Sequence, residues 1–209
     1  MKLAHCPIAA VMAVLPVLAA AQSFPVKPIR IIVPFPPGGA DITARQVAPR
    51  MQEDLGQPVI IENRAGANGL IGTEYLTKQP PDGHTLLWTA NNPIVTGPVT
   101  TPKETHYDPN RDLTHLSLIL TGVVTLAISG QLPVNSLREF IDYARKNPGT
   151  LAYASVGVGS SQHIDGEVLK IRAGIDLIHV PYKGFGPILP DLVAGRIDLA
   201  FIEIGRAHV

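Results

Sequence analysis

The chain has 209 residues, and 17 Lys and Arg balance 17 Asp and Glu to give a formal net charge of zero. This balance gives no reason to expect nucleic acid or an anionic membrane as partner, so a charged ligand must be recognised locally. The hydrophobic content of 45% with only 5% aromatic residues is typical of an α/β protein with an aliphatic core. We expect a monomer without cofactor or bound metal.

The N-terminus has the layout of a secretory signal peptide. Lys2 precedes an apolar run at residues 8–18, which ends in three alanines at 19–21, the small residues that signal peptidase needs. A membrane anchor is the alternative, but the run is shorter than the roughly 20 residues that span a bilayer. We expect residues 1–21 to be cleaved after Ala21 and the mature chain, which loses Cys6, to be periplasmic.

The first part of the chain alternates short apolar strands with helices. Strands are predicted at residues 29–33, 59–62 and 84–89, and helices at residues 41–55 and from Gly66 to about residue 78. Asp41 is predicted to cap the first helix and Gly56 to end it. This alternation predicts parallel βαβ units with helices on both faces of a sheet.

A second α/β unit is predicted after a long connection. Residues 96–111 show no periodicity and are predicted to be a loop, and residues 116–128 are predicted to be extended. Beyond them, helices are expected at 136–146, 161–172 and 186–194, and strands at 151–154, 177–180 and 197–202. We therefore expect one domain at 22–120 and another at 121–203, with the crossing near residues 121–125.

Two glycine-containing loops occupy equivalent places, each after a strand and before a helix. The first contains Pro37, Gly38, Gly39, Ala40 and Asp41, and the second contains Ser155, Gly157, Gly159, Ser160 and Ser161. Ligands of open α/β sheets sit at the carboxyl ends of strands, and free amides at a helix N-terminus stabilise negative charge. Facing each other, the loops would form a cleft for a carboxylate. Alternatively, the glycines only make turns and the serines only cap a helix.

Other candidate residues leave two interpretations open. Asn91 and Asn92 follow the third strand and either supply amides to a ligand or cap the next turn. His163 and Glu167, four residues apart on a helix, could share a metal, but two ligands do not make a site and a structural histidine is the commoner case. Lys183 either lines a cleft or is a solvated surface charge.

Enzyme motifs are incomplete in the second loop. The segment from Gly157 to Gln162 begins like a dinucleotide fingerprint but lacks its third glycine. Ser160 is not flanked by glycines as in the nucleophile elbow of serine hydrolases. With no nucleophile, base and orienting group together, we predict that the protein is not an enzyme.

Four segments in order resemble one family. They are Ile-Arg-Ile-Ile-Val-Pro-Phe-Pro-Pro-Gly-Gly at 29–39, Gly-Gln-Pro-Val-Ile-Ile-Glu-Asn-Arg at 56–64, Pro-Asp-Gly-His-Thr-Leu-Leu at 81–87 and His-Val-Pro-Tyr-Lys-Gly at 179–184. Together, in a match that runs from about residue 26 to 203, they resemble the substrate-binding proteins of tripartite tricarboxylate transporters, the Bug family.

The resemblance implies a type II periplasmic binding protein fold, in which two α/β domains close over a ligand cleft. It implies a small organic carboxylate as ligand and the membrane permease subunits of the transporter as partner. In that family, backbone amides, hydroxyls and ordered waters of the two loops hold the ligand. The resemblance places these ligand-binding loops at residues 37–41 and 155–163 of this sequence, and the second loop includes His163.

The chain departs from the family in two places. The first loop reads Gly39-Ala40-Asp41 and is one residue short, which affects the register of its amides. Family members also continue beyond residue 203, so the chain is expected to lack their C-terminal part. Residues 204–209 resemble a translated sequencing adapter and are expected to be an artefactual tail.

The predicted pocket is compatible with more than one function. A periplasmic receptor that reports a carboxylate to a sensor would share it, and gene neighbours would separate that function from transport. A secreted α/β enzyme is the third alternative, for which no catalytic constellation is visible. The sequence does not identify the carboxylate.

Overall fold

A computed structural model describes residues 24–205, with side chains described to residue 202. The predicted signal peptide with Cys6 and the last four residues lie outside this range. The first unit is a sheet of three parallel strands, β1 (Ile29–Val33), β2 (Val59–Asn63) and β3 (Thr85–Leu87), in the order β2-β1-β3. As the α/β alternation predicts, helices connect these strands.

Strand β1 lies at the centre of the first sheet and is apolar at every position except Arg30. Ile29, Ile31, Ile32 and Val33 are all almost fully buried, as expected where both faces of a parallel strand are covered. Helix α1 (Gly39–Leu55) packs on this strand through Ala44, whose small side chain lets the helix backbone approach the sheet. Gly56 ends the helix in a left-handed conformation, as predicted.

The connection after β2 leads through a 3₁₀ turn (Ala67–Gly69) into helix α2 (Leu70–Thr77). After β3, the predicted loop at 96–111 begins differently, with a π-helical turn (Asn92–Thr96) followed by the short helix α3 (Gly97–Thr100). Threonine hydroxyls bond to the backbone of these turns: Thr96 and Thr100 each donate to the carbonyl four residues earlier.

The second sheet has four strands in the order β4-β7-β5-β6, formed by β4 (Gly122–Ile128), β5 (Ala152–Ser155), β6 (Ile178–Pro181) and β7 (Leu199–Gly205). Strands β5, β6 and β7 run parallel, whereas β4 pairs antiparallel with β7. The second sheet is therefore mixed.

Helices α4 (Leu137–Lys146), α5 (Ser161–Ala173) and α6 (Ile188–Val193) connect the strands of the second unit. Ser136 caps α4 as predicted, by accepting a hydrogen bond from the Glu139 amide. Phe140 and Tyr153 are fully buried in the core of this unit. Gly166 allows α5 to lie against the Tyr153 ring, since a Cβ atom there would collide with that ring.

Candidate functional site

The candidate site lies where the carboxyl ends of the parallel strands meet. Strands β1, β2 and β3 all end at one edge of the first sheet, and the loops at 34–38, 64–66 and 88–91 leave from that edge. Strands β5 and β6 end together in the second sheet, followed by the loops at 156–160 and 182–187. Both glycine-containing loops therefore lie at the edges where α/β proteins bind ligands.

Hydrogen bonds join the loops of the two sheets across a cleft. Asn68 Nδ2 donates to the Val158 carbonyl at 3.1 Å, and Thr100 Oγ1, whose hydrogen bonds to the Thr96 carbonyl, lies 3.4 Å from the Gly159 carbonyl oxygen. Asn92 Oδ1 accepts from the backbone amide of Ser161 at 3.4 Å and from its hydroxyl at 3.2 Å. Loops of the two sheets thus face one another at these residues, whereas direct opposition of the two glycine-containing loops stays a prediction.

The first loop leaves backbone amides free at the start of α1. Gly38 precedes the helix with a φ of 128°, a conformation that favours glycine, and no side chain caps the helix. Within residues 24–205, the amides of Gly39 and Ala40 have no hydrogen-bond partner. Free N–H groups and the positive end of the helix dipole make this N-terminus suited to an anion.

Asp41 does not cap α1, so that prediction was wrong. Because the helix starts at Gly39, Asp41 lies inside its first turn, where it is buried and accepts hydrogen bonds from Arg45 Nε at 3.0 and 3.1 Å. Arg45 also donates to Asn63 Oδ1, and Asn63 Nδ2 donates to the Phe35 carbonyl. The network ties the first loop to α1 and β2, and the Arg45 guanidinium keeps the pKa of Asp41 below its ordinary value.

The serines of the second loop shape its backbone. Ser155 Oγ accepts from the Gly157 amide at 3.0 Å, and Ser160 Oγ donates to the Gly157 carbonyl at 2.7 Å. Ser160 Oγ also accepts from the His163 amide and so caps α5. Because both serines are fully buried, they act here by positioning the loop, and a direct hydroxyl contact with a ligand stays a prediction.

Two histidines, His163 and His179, form hydrogen bonds with the second loop. His179 Nε2 lies 2.6 Å from Ser155 Oγ, and its ring stacks on that of Tyr153 with 4.9 Å between centroids. The His163 ring lies 4.3 Å from that of His179, and His163 Nδ1 accepts from the Gly159 amide. Burial, with a smaller effect of His163, lowers the pKa of His179.

His163 fits the structural interpretation given above. Its ring nitrogen is bound to the loop backbone, while Glu167 accepts from the Tyr153 hydroxyl at 2.8 Å and from Lys170 at 3.2 Å. Across residues 24–205, no group of three or more His, Cys, Asp or Glu side chains is placed to hold a metal ion.

The remaining predicted residues fall at different distances from the cleft. Asn91 is exposed, and its carbonyl accepts from the amides of Ile94 and Val95, so its neighbour Asn92 is the asparagine that crosses the cleft. Lys183 is exposed beside Gly184, whose position lies against Pro36 of the first loop. Sequence reasoning missed Asn68, Thr100 and His179, because only the fold brings them to the loops.

Two α/β units whose loop edges meet over a cleft are the architecture of a periplasmic binding protein. The chain belongs to the tripartite tricarboxylate transporter family receptors (TctC), whose family model matches residues 43–208. The resemblance predicted from four sequence segments is thereby confirmed.

Curated relatives are similar over most of this chain. A UPF0065 protein in the tcbD-tcbE intergenic region of Pseudomonas sp. (strain P51) is 40% identical over 179 residues, which are 85% of this chain and 53% of that protein. Protein BugT of Bordetella pertussis is 38% identical over 85% of this chain and 55% of its own length. The chain thus spans about half the length of these relatives.

Solved structures share the fold. A periplasmic transporter structure is 39% identical with a TM-score of 0.81, over 87% of this chain and 61% of that one. R. palustris Rpa4515 with adipate is 35% identical with a TM-score of 0.81, over 86% and 60% of the two chains. MatC from Rhodopseudomonas palustris with bound malate is 32% identical with a TM-score of 0.77, over 86% and 61%.

These likenesses confirm the predicted fold class of a periplasmic binding protein. Between residues 24 and 205, none of the helices has the length and apolar character needed to cross a bilayer. The solved structures similar to this chain include a periplasmic transporter and the periplasmic binding protein BugD.

Proposed function

We propose that the protein captures a small organic carboxylate in the periplasm and delivers it to the membrane permease of a tripartite tricarboxylate transporter. The observation that carries the proposal is the uncapped N-terminus of α1, whose Gly39 and Ala40 amides are free at the edge of the cleft. An ionised carboxylate forms charge-assisted hydrogen bonds with such amides, which are stronger than those between neutral groups.

The charges around the first loop are compatible with an anionic ligand. Asp41 would repel a carboxylate if it were exposed, but it is buried and paired with Arg45. The pairing leaves the helix dipole and the free amides as the nearest features for a ligand at Gly39 and Ala40. We infer that these two amides bind the carboxylate group directly.

The second loop supplies the opposite wall of the proposed site. Its shape is held by Ser155, Ser160 and His163, and it presents Gly157 to Ser161 toward the loops of the first sheet. Two structures similar to this chain contain adipate and malate, both of which are dicarboxylates. We therefore place the ligand between residues 37–41 and residues 155–163, in a cleft between lobes at 22–120 and 121–203.

The proposed mechanism is binding and closure without covalent chemistry. Closure of two lobes around a ligand buries it and gives the permease a distinct surface to recognise. The permease subunits are proposed as partner because the family comprises receptors of tripartite tricarboxylate transporters.

A thermal-shift screen tests ligand capture. The purified chain is heated with adipate, malate and other organic acids, and 1,6-hexanediol serves as a matched control that lacks the carboxylates of adipate. An acid at a hundred times its dissociation constant should stabilise the protein by about 2.7 kcal/mol and raise its melting temperature. No shift with any acid, or an equal shift with the diol, contradicts carboxylate capture.

Delivery to the permease needs a separate experiment. Uptake of the radiolabelled acid by vesicles that contain the permease should require added binding protein. Binding without stimulated uptake would support a sensor receptor instead.

A further inference from the structure

The side chain of Asn92 connects the two lobes, because its hydrogen-bond partner lies 69 positions later in the chain. It begins the π-helical turn after β3, and only 6% of its surface is exposed. Its Oδ1 accepts from both the amide and the hydroxyl of Ser161, the first residue of α5. Asn92 is therefore a buried polar side chain whose observed partner belongs to the other lobe.

The first lobe holds Asn92 firmly in place. The Asn92 carbonyl accepts from Thr96 Oγ1 and from the Gly97 amide, and Pro93 follows as the next residue. Tyr107, which is also buried, donates its hydroxyl to the Pro93 carbonyl at 2.5 Å. These contacts hold the backbone of Asn92 in the first lobe.

On the other side of the cleft, Ser161 needs an acceptor. The first amides of a helix have no partner within it, and a side-chain oxygen is one of the groups that can satisfy them. Ser160 caps the His163 amide from within the second lobe, whereas Asn92 caps the Ser161 amide from the first lobe. The Ser161 amide is thus capped only while the two lobes are in contact.

We propose that Asn92 is a closure latch, a positioning residue that stabilises the closed cleft by capping α5 from the opposite lobe. The inference rests on the proposed function, because closure matters for retention of a ligand. A latch stabilises the closed state, so its loss lowers the fraction of closed protein and weakens apparent affinity in proportion. The loss should appear in the dissociation rate, since association precedes closure.

Stopped-flow binding of adipate tests the latch, with malate as the second probe. Asn92→Ala should dissociate on the order of tenfold faster, with its association rate unchanged within about twofold, because a few hydrogen bonds account for such a factor. The exposed loop residue Asn110 provides the matched control, and Asn110→Ala should leave both rates unchanged.

A double-mutant cycle separates the latch from a general loss of structure. Ser161→Ala removes the hydroxyl donor to Asn92 Oδ1, so its effect on dissociation should shrink in the Asn92→Ala background. Fully additive effects would contradict the latch. Ser161 is partly exposed, so its variant also keeps the test valid if Asn92→Ala fails to fold.

Amide hydrogen exchange tests the latch without any ligand. The Ser161 amide should exchange faster in Asn92→Ala and regain protection in Asn92→Asp, which keeps an oxygen acceptor. If the wild type binds no acid but this pattern holds, the proposed function fails and the latch stands. If adipate or malate binds and Asn92→Ala leaves dissociation and exchange unchanged, the latch is wrong.

Discussion

Ser155 and His179 share a hydrogen bond of 2.6 Å, although they lie on neighbouring strands and are separated by 24 positions in the chain. The same Ser155 hydroxyl oxygen accepts from the Gly157 amide, so a strand residue, a loop amide and an imidazole converge on one atom. The position of the second loop therefore depends on the hydrogen bond between Ser155 and His179, which changes if the imidazole gains a proton.

Acidification should destabilise the protein through His179. Burial lowers its pKa below the ordinary value of 6.5 in the folded state, so below about pH 6.5 the unfolded chain binds more protons than the folded one. The histidine's contribution to stability is therefore present above pH 6.5 and is lost as pH falls. His179→Gln should flatten the dependence of melting temperature on pH between 7.5 and 5.

The exposed His115 provides the control for this experiment. His115→Gln should keep the pH dependence of the wild type. A His179→Gln protein with the same pH dependence as the wild type would show that other groups account for it.

Removal of the Ser160 cap should affect both stability and binding. The Ser160 hydroxyl caps α5 and holds the Gly157 carbonyl, so Ser160→Ala should cost about 1 kcal/mol of unfolding free energy and weaken acid binding. Ser136 caps α4 in the same way, away from the cleft. Urea unfolding should show a similar loss in Ser136→Ala, but calorimetry should show unchanged affinity, and equal affinity losses in both variants would count against the proposed site.

A single proline should remove one of the free amides of α1. Ala40→Pro deletes a donor in the first turn, where a helix tolerates proline because that amide has no partner in the helix. We expect adipate affinity to fall about tenfold, as for a hydrogen bond to a charged group. Leu137→Pro makes the same change at the start of α4 and should not affect binding; an unaffected Ala40→Pro protein would exclude this amide as a ligand contact.

Arg45 should stabilise the first loop by neutralising Asp41. Arg45→Met leaves a buried carboxylate without its charged partner and should cost about 1 to 2 kcal/mol in urea unfolding, a modest figure because Arg45 itself is half exposed. Arg50→Met removes exposed pairs on the same helix and should cost much less. Asp41→Asn in the Arg45→Met background should recover part of the loss, and no recovery would exclude the unpaired charge as its cause.

The substitution Gly166→Ala should push α5 away from strand β5. A Cβ atom there meets the Tyr153 ring, and overpacking of this kind costs about 1 to 3 kcal/mol. A Cβ atom at Gly130 would lie in open space, so Gly130→Ala should unfold at nearly the same urea concentration as the wild type. Equal midpoints for the two variants would contradict the tight packing of α5.

Local sequence patterns predicted much of the fold. The apolar run of β1, the Ser136 cap and the glycine at the end of α1 are signals carried by neighbouring residues, and all three occur as predicted. The predicted start of α1 was wrong. In a sequence, an aspartate at the N-cap position looks the same as an aspartate inside the first turn, which is where Asp41 lies.

The contacts of the site were harder to predict than its location. Both loops could be placed at strand ends because a strand followed by glycines and a helix is a local pattern. The bond between Asn92 and Ser161 spans 69 positions, and that between Ser155 and His179 depends on strand register. Neither bond leaves a periodic signal in the sequence, so the partners of these residues could not be predicted from it.

Most bonds across the cleft use main-chain atoms on the side of the second loop. Asn68 donates to the carbonyl of Val158, Thr100 Oγ1 lies 3.4 Å from the carbonyl oxygen of Gly159, and Asn92 accepts in part from the amide of Ser161. Main-chain groups are present whatever side chain a position carries. The side chain of an exposed residue such as Val158 can therefore vary without loss of the bonds that join the two units.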